Sequence, residues 1–408
     1  MRADSALFHM DSYLRMRAVK LMAGMTLCCA VMSGQGFMST LAGSDWVFPA
    51  EGRPAADAPL GLVRDPAVDA SGNLYLPDER QHLVFRVSAA GTISVFAGTG
   101  SAGFSGDGGP AREAEFNRPS AVALDAQGNV YISDRDNNRI RVVNTSGIVS
   151  TFAGTGVAGF LGDGGPAAQA RLSRQTDLEF DSRNNLYVID WGNSRIRRIR
   201  PDRVIETVAG NGTFGFSGDG GPATGAAIAP FVGLAIDTNN NVYFSGSLRI
   251  RRIDTAGIIT TVAGNGQSGA PVDGQPARTS PLRAPGGVAV EPAGTVVFSE
   301  VNDSRILRIT AAGTLVTIGG RDEIGYDGDG LAATAARMGF PRAMAVDRRN
   351  GNLFVSEEIC YCVRRIDSRG IITTAAGNGR YGRAPAGAPA TQGFLFGPRG
   401  LALNRAGE

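Results

Sequence analysis

The segment Gly106-Asp107-Gly108-Gly109-Pro110-Ala111 recurs unchanged at residues 162–167 and 218–223, an interval of 56 residues each time. Weaker copies follow, with an acidic residue in the corresponding place at Asp273 and Asp329. A fixed period of this length across most of a chain is the signature of a repeat architecture. The sequence therefore predicts one array of similar units and not a series of unrelated domains.

The repeat unit consists of short apolar runs separated by turns. In the unit at 119–174, runs such as Val130-Tyr131-Ile132 are rich in β-branched and aromatic residues, and Gly128-Asn129 supplies a hairpin turn. A helical turn is expected at 166–171, where a proline begins the segment. Three successive hairpins predict a four-stranded antiparallel meander, with strands at 121–125, 130–134, 139–143 and 148–153.

Repeated four-stranded sheets with short connections and no long amphipathic helices are typical of the blades of a β-propeller. A β-solenoid is the alternative, but its coils are much shorter than this unit. The predicted fold is all-β, a β-propeller with six complete four-stranded antiparallel blades between residues 62 and 377 and a split, incomplete seventh. The seventh would combine a strand at 37–42 with one at 399–403. We therefore expect a truncated propeller over 37–408, with seven intended blades and six as the alternative.

The first 36 residues read as an N-terminal extension with a signal peptide. Arg15, Arg17 and Lys20 precede an apolar run at 21–32, and small residues follow it. The run is too short to span a membrane. We expect export, to the cell surface, the extracellular space or the periplasm, with no membrane span after the signal peptide is removed.

Two cysteines remain after such a signal, Cys360 and Cys362. With one residue between them, we expect them to lie too close for a relaxed disulfide. The only histidines are His9 and His82, which argues against a zinc site. The net charge of +2 is near neutral and removes the simplest argument for a nucleic-acid partner.

The strings Gly128-Asn129-Val130-Tyr131-Ile132-Ser133-Asp134 and Asn138-Arg139-Ile140-Arg141, repeated in the next unit, resemble the NHL repeat. Together with the Gly-Asp-Gly-Gly-Pro-Ala segment, they are most similar to the NHL propellers of exported bacterial proteins and the related region of teneurins. The resemblance implies the fold and leaves the activity open. The chain departs from the pattern at 245–249 and at 360–362.

An acidic residue recurs at the end of the second strand, and an arginine recurs at the start of the third. One interpretation is a ring of carboxylates that binds a ligand or a cation; the other is a carboxylate that accepts turn amides and pairs with the neighbouring arginine. Recurrence in nearly every blade favours the structural interpretation. The candidate ring consists of Asp78, Asp134, Asp190, Glu300, Glu357, Arg139, Arg195, Arg249 and Arg305.

The Gly-Asp-Gly-Gly segments resemble calcium or phosphate loops only superficially. They lack the further carboxylates and closing glutamate of an EF-hand loop and the Lys-Ser/Thr of a P-loop. We expect no cofactor and no catalytic or metal-ligating residue, with calcium as the alternative for these segments.

Three further functions have specific requirements. A lyase related to the peptidylglycine enzymes needs several metal-ligating histidines, which the chain lacks. A gluconolactonase-like, metal-dependent hydrolase needs acids that converge in the channel, for which the candidates are Asp69, Asp125, Asp181, Asp237 and Asp347. An RNA-binding propeller would use a basic belt, and the candidate arginines are residues 139, 141, 195, 197, 198, 249, 251, 252, 305, 308, 364 and 365.

The sequence favours an exported NHL-type propeller that acts as a non-catalytic binding or scaffold module for a protein or carbohydrate ligand, through the loops at one end of the ring. The alternatives are the gluconolactonase-like hydrolase and the RNA-binding propeller. The ligand and the oligomeric state are left open.

Overall fold

A computed structural model of the chain describes residues 53–377, in which short antiparallel strands form six separate sheets. Each sheet is a blade whose strands follow one another from the centre of the ring to its outside. The predicted all-β propeller is therefore confirmed. No helix in residues 53–377 is long and apolar enough to cross a membrane.

The first three blades each have four strands in chain order from the inside to the outside. Residues 53–54 form an additional short strand at the outer edge of blade 1. Blade 1 consists of β1 (Arg53–Pro54), β2 (Ala67–Val68), β3 (Leu74–Asp78), β4 (Leu83–Val87) and β5 (Thr92–Ala97). Blade 2 consists of β6 (Pro119–Leu124), β7 (Val130–Asp134), β8 (Arg139–Val143) and β9 (Val149–Ala153). Blade 3 consists of β10 (Gln175–Phe180), β11 (Leu186–Asp190), β12 (Arg195–Ile199) and β13 (Ile205–Ala209).

The other three blades repeat this order. Blade 4 consists of β14 (Pro230–Ile236), β15 (Val242–Gly246), β16 (Arg249–Ile253) and β17 (Ile259–Ala263). Blade 5 consists of β18 (Pro285–Val290), β19 (Val296–Glu300), β20 (Arg305–Ile309) and β21 (Leu315–Gly319). Blade 6 consists of β22 (Pro341–Asp347), β23 (Asn352–Glu357), β24 (Cys362–Ile366) and β25 (Ile372–Ala376). Single 3-10 turns occupy Ala55–Asp57, Ala111–Glu113, Arg135–Asn137, Ala167–Gln169, Trp191–Asn193, Ala223–Gly225, Val301–Asp303 and Ala333–Ala335.

The two ends of the ring differ in the chain segments that they carry. One end holds the turns between first and second strands and between third and fourth strands; we call it the turn face. The opposite end, the loop face, holds the turns between second and third strands and the connectors that run from each fourth strand to the next blade. The helical turn predicted at 166–171 is confirmed as a 3-10 turn at Ala167–Gln169 in one such connector.

Each blade buries both of its sheet faces against its neighbours. In β11, Leu186 and Val188 pack against blade 2, whereas Tyr187 and Ile189 pack against blade 4. Side chains alternate between the faces of a strand, so a strand packed on both sides is apolar at most of its positions. This explains why the apolar runs of the sequence are continuous and not alternating.

The ring of described residues closes by contact between blade 6 and blade 1. Val363 and Ala376 pack in one core with Ala55 and Leu60, and the Gly377 amide donates a hydrogen bond to the Ala55 carbonyl at 2.9 Å. Six blades are therefore present in residues 53–377. The strands predicted for a split seventh blade, and the predicted signal peptide, lie outside the described residues.

Close approach of the inner strands requires small residues at the axis. A Cβ atom on Gly233 would lie 2.5 Å from the Gly286 carbonyl oxygen, and one on Gly287 would lie 2.7 Å from the Cα of Ala343. Such distances exclude any side chain, including that of alanine, without movement of the backbone. Blade packing therefore selects glycine at these two positions.

A buried arginine on the third strand links the connector to the blade. Arg197 is fully buried, and its guanidinium lies 2.7 Å from the Asp163 carboxylate and 3.5 Å from that of Asp190. It also donates hydrogen bonds to the carbonyls of Arg171 and Leu161. The second oxygen of Asp163 accepts the Thr207 hydroxyl at 2.6 Å. One buried guanidinium thus holds the Gly-Asp-Gly-Gly segment at 162–165 against blade 3.

Three other blades contain the same tie, in which the third-strand arginine contacts the connector aspartate at 2.6–2.7 Å: Arg141 with Asp107, Arg251 with Asp219 and Arg364 with Asp329. Blade 5 has Leu307 in this place, and Asp273 accepts the amide and the hydroxyl of Thr317 instead. The connector aspartates are therefore engaged as structural acceptors. Among residues 53–377, these segments form no group of three potential metal ligands.

We expect Arg197→Met to lower the free energy of unfolding by about 3–5 kcal/mol, because it leaves two carboxylates without their buried partner. Arg198→Met is the matched control on the same strand. Arg198 is partly exposed and pairs with Glu206, so its loss should cost about 1 kcal/mol or less. Urea unfolding of the full chain measures both changes, and equal losses in the two variants would contradict the proposed tie.

The carboxylates at the ends of the second strands predict an unusual pH dependence. Burial raises the pKa of Asp78, Asp134 and Asp190 to about 6, and that of Glu300 and Glu357 to about 7, although backbone amides and arginines oppose the shift. In an unfolded chain these groups titrate near 4. Since the folded state binds these protons more tightly, stability falls as the pH rises from about 4 to about 7.

The free energy of unfolding should therefore be larger at pH 5 than at pH 7. Glu300→Gln should reduce this difference, because glutamine keeps an oxygen for the amides of Arg283 and Ala284 but does not titrate. Urea unfolding at the two pH values provides the measurement. A stability that is unchanged, or lower, at pH 5 would show that the buried carboxylates are ionised in the folded protein.

Candidate functional site

The predicted ring of carboxylates is buried beneath the loop face. Each member accepts the backbone amide of a residue that precedes the inner strand of its own blade, at 2.5–2.9 Å: Asp78 from Gly61, Asp134 from Asn117, Asp190 from Ser173, Glu300 from Arg283 and Glu357 from Gly339. These hydrogen bonds fix the backbone just before the inner strand in blades 1, 2, 3, 5 and 6. Their geometry favours the structural interpretation.

The predicted arginines lie near the ring but contact different groups. Arg139 opposes Asp134 in the strand register, yet its guanidinium donates to the carbonyls of Asn137 and Thr155. The Asp134 carboxylate is instead within 3.5 Å of Arg141, two residues further along. Arg195 and Arg249 make the same carbonyl contacts as Arg139, and Arg305 donates to the Pro271 carbonyl. In blades 2 and 3, the expected pairing with the first arginine is therefore replaced by pairing with the second.

The prediction for Cys360 and Cys362 was wrong. They form a disulfide with a Cα–Cα distance of 5.1 Å, within the usual range. Tyr361 between them has a φ of 47°, and this left-handed conformation turns the two side chains toward each other. Glu357 and these sulfurs are the one group of three potential metal ligands in residues 53–377. Because the sulfurs are bonded to each other, they are not available as thiolates.

The first-strand acids proposed for a hydrolase channel are engaged in turns. Asp125 accepts the amides of Gln127 and Asn129 and the side-chain amide of Asn129. Equivalent hydrogen bonds hold the other four, which are Asp69, Asp181, Asp237 and Asp347. The five carboxylates are thus turn acceptors in five different blades. This arrangement does not provide the convergent set that a hydrolytic metal requires.

An asymmetric group of acids that the sequence analysis missed lies at the axis. Four inner strands place Ala or Gly where β10 has Asp177, and five place Ala where it has Glu179. Asp65, which precedes β2, occupies the position in blade 1 that corresponds to Asp177. The signal was present in the sequence as charged residues within an otherwise small-residue pattern, Asp177-Leu178-Glu179 against Ala121-Val122-Ala123.

Asp65 and Glu179 line a cavity of ≈ 410 Å³ that is formed by the inner strands of all six blades, and we call it the axial cavity. Its lining extends to the first-to-second strand turns at Asp69 and Arg349, so it opens on the turn face. Apolar residues form most of the wall, namely Val68, Val122, Leu124, Phe180, Leu234, Ile236, Val288, Val290, Met344 and Val346.

Burial and neighbouring carboxylates raise the pKa values of the acids at the cavity. Burial, together with the facing carboxylate of Asp177, raises the pKa of Asp65 well above its ordinary value. Burial raises the pKa of Asp177 as well, although its Oδ2 accepts the Leu234 amide at 2.6 Å. Two carboxyls so placed share one proton. Burial also raises the pKa of Glu179 to about 7, against the opposing effect of Arg348 at 3.6 Å.

The loop face carries exposed aromatic rings at equivalent positions of the connectors. Phe104, Phe160 and Phe216 are each about 40% exposed, and each lies against a guanidinium at 3.6–3.9 Å from the ring centroid. The arginines are the predicted Arg139, Arg195 and Arg249. Because the stack recurs, it belongs to the architecture of the repeat.

Two neighbouring connectors expose additional apolar side chains that the repeat does not require. Val157 and Leu161 stand where the preceding connector has Ser101 and Ser105, and they are 52% and 55% exposed. In the connector before blade 4, Phe214 occupies the position that Ala102 has in the connector before blade 2, and Phe214 is 65% exposed. We call these three residues, together with Phe160 and Phe216, the apolar patch.

A groove of ≈ 420 Å³ adjoins the apolar patch. Phe214 lines it together with Leu248, Pro285 and Val301, and Arg283 and Arg342 also contribute to its lining. Leu248 belongs to the turn that the sequence analysis identified as shortened in blade 4. The departure from the repeat in this turn therefore coincides with a concave, largely apolar surface.

Comparison with known proteins gives the same fold. The family model of the Teneurin NHL domain matches residues 70–160. Teneurin-3 of Danio rerio is 30% identical over 289 residues, which cover 61% of this chain and 10% of that protein. Teneurin-m of Drosophila melanogaster is 27% identical over 284 residues, which cover 63% of this chain and 10% of that protein. The chain thus spans about a tenth of the length of these relatives.

Among solved structures, an auxiliary nutrient binding protein from Bacteroides thetaiotaomicron has a TM-score of 0.55 at 14% sequence identity, covering 82% of this chain and 76% of that one. At this identity the likeness concerns the fold alone. The in-register repeats, the six-bladed ring and the teneurin matches lead to one assignment. These findings support the assignment of the chain to the NHL-repeat family of β-propeller proteins.

Proposed function

We propose that the protein is an exported, non-catalytic binding module that recognises a protein partner through the apolar patch and the adjoining groove. The observation that carries the proposal is the exposure of Val157, Leu161 and Phe214, which replace small residues of the repeat. Exposed apolar groups that folding does not require are the usual mark of an interaction surface.

The composition of this surface favours a protein over a carbohydrate. Aromatic rings can stack on sugars, but the aliphatic side chains of Val157 and Leu161 contribute nothing to such stacking. Aromatic residues and arginine are enriched in protein interfaces, where a few of them supply most of the binding energy. Arg283 and Arg342 also line the groove, where they pair with Asp303 and Glu358, so the matching partner surface is mainly apolar.

Export is supported by the signal-like N-terminal sequence and by the Cys360–Cys362 disulfide, since disulfides persist in oxidising compartments. The arginines of the proposed RNA-binding belt do not form a free cationic surface. Arg141, Arg197 and Arg364 are fully buried, and Arg139 and Arg195 are stacked on phenylalanines. A neutral, exported module with engaged arginines is a poor match for nucleic acid.

The test replaces the three exposed apolar residues with those at the same positions of the connector before blade 2, namely Ser101, Ser105 and Ala102. Peptides are selected from a random displayed library on the immobilised full chain, and their affinities are measured for wild type and for the triple variant Val157→Ser, Leu161→Ser and Phe214→Ala. We expect apolar peptides whose affinity falls at least 10-fold in the triple variant, because the anchoring contacts are removed.

Leu331→Gly is the matched control. It removes an equally exposed aliphatic side chain from the connector before blade 6 and also restores the glycine of the connectors before blades 2, 3 and 4. Peptide affinity should not change in this variant. Peptides that bind the triple variant as well as wild type would overturn the proposal. So would a glycan, identified on a glycan array, whose binding is lost in the triple variant while no peptide is selected.

A further inference from the structure

The axial cavity carries acids that depart from the symmetry of the ring, and it lies at the end opposite the apolar patch. All six blades contribute residues to its lining, which is apolar apart from the charged residues and the backbone. Asp65, Asp177 and Glu179 are grouped on one side, where the other inner strands carry alanine or glycine. Nothing in the packing of the blades requires these charges, since the neighbouring strands pack with small residues there.

The charges in and around the cavity leave an excess of carboxyl groups. Asp69 and Asp347 are held by their turns, and Arg349 pairs with Asp347 at 2.7 Å. Arg348 lies 3.6 Å from Glu179 and also donates to the Ile236 carbonyl. One guanidinium therefore faces three carboxyls, Asp65, Asp177 and Glu179, of which Asp65 and Asp177 are more than nine-tenths buried.

Buried polar atoms without partners lie on the same strand as the acids. Gln175 is fully buried, and neither its side-chain oxygen nor its nitrogen has a hydrogen-bond partner. Asp177 is 2% exposed, and its Oδ1 has no hydrogen-bond partner other than the Asp65 carboxyl with which Asp177 shares a proton. A buried polar atom left without a partner destabilises the folded protein. A ligand that reaches such an atom can complete its hydrogen bonding.

The arrangement suits an organic cation better than a metal ion. A divalent metal requires several oxygens around one point, and in residues 53–377 only the Glu357 and Cys360–Cys362 group brings three ligand atoms within 4.8 Å of one another. The apolar walls would give nothing to a bare ion. They would, however, cover the hydrocarbon part of an ammonium compound.

We propose that the axial cavity binds a small amphipathic organic cation. Its ammonium group lies between Asp65, Asp177 and Glu179, and its apolar body lies against the side chains of β14, β18 and β22. The proton shared by Asp65 and Asp177 leaves to solvent when the ammonium binds, so the charge of the acid pair is compensated by the ligand.

The probe is n-hexylammonium, with 1-hexanol as the neutral isostere, titrated into the full chain by isothermal calorimetry at pH 7.5. We expect saturable binding of the ammonium at least 10-fold tighter than of the alcohol. Affinity should fall at least 10-fold at pH 5.5, because Asp65, Asp177 and Glu179 are then protonated while Arg348 keeps its charge. Binding at pH 7.5 should release protons, detectable in buffers of different ionisation enthalpy.

Two variants locate the site. Asp177→Asn keeps an acceptor for the Leu234 amide, and Glu179→Ala restores the residue of the other blades. Each should weaken hexylammonium binding at least 10-fold. Glu113→Gln removes the same charge from an exposed connector position and should leave binding unchanged. Thermal melting of each variant establishes that it is folded.

Equal affinity for the ammonium and the alcohol would overturn the proposal, as would unchanged binding in both cavity variants. Competition by calcium ions at low concentration would identify a metal site instead and would also overturn it. The site lies away from the apolar patch, so loss of peptide binding in the patch variants does not affect this test.

Discussion

A guanidinium buried between two carboxylates and two backbone carbonyls is the interaction on which each typical blade depends. Arg197 contacts the connector through Asp163 and the end of the second strand through Asp190. The Asp190 carboxylate in turn accepts the amide of Ser173, which lies just before the inner strand of the same blade. One side chain therefore fixes both the entry of the chain into a blade and the fold of the glycine-rich connector.

This constraint explains why charged residues recur in a protein whose blades are packed through apolar cores. Removing any one partner from such a cluster leaves a buried charge uncompensated, which is costly, so the residues persist as a set. Blade 5 shows the permitted alternative, because Leu307 replaces the arginine and the connector aspartate binds Thr317 instead. Repetition of charge is thus a property of the architecture and not evidence for a ligand.

Much of the fold could be predicted from the sequence. The period, the hairpin turns and the continuous apolar runs predicted the blades, and the strands at 130–134 and 139–143 have the predicted bounds. The partners of individual charges could not be predicted, because Arg139 and Arg141 are equivalent in a local pattern and only the position of the connector selects Arg141. The disulfide was excluded on spacing alone, since the left-handed conformation of Tyr361 is not visible in the sequence. The cavity acids Asp65, Asp177 and Glu179 were missed because the predictions were drawn from residues that recur in each repeat, and these three do not.

The two sites proposed here both consist of departures from the repeat, and they lie at opposite ends of the ring. A saturation scan of the full chain, read out as the amount of folded protein displayed on a cell surface, tests this division directly. The account predicts that substitutions at Asp163, Asp190 and Arg197 deplete the folded protein, whereas changes of Val157, Leu161, Phe214 and Glu179 to the residues of other blades do not. Tolerance at the first group, or depletion at the second, would contradict it.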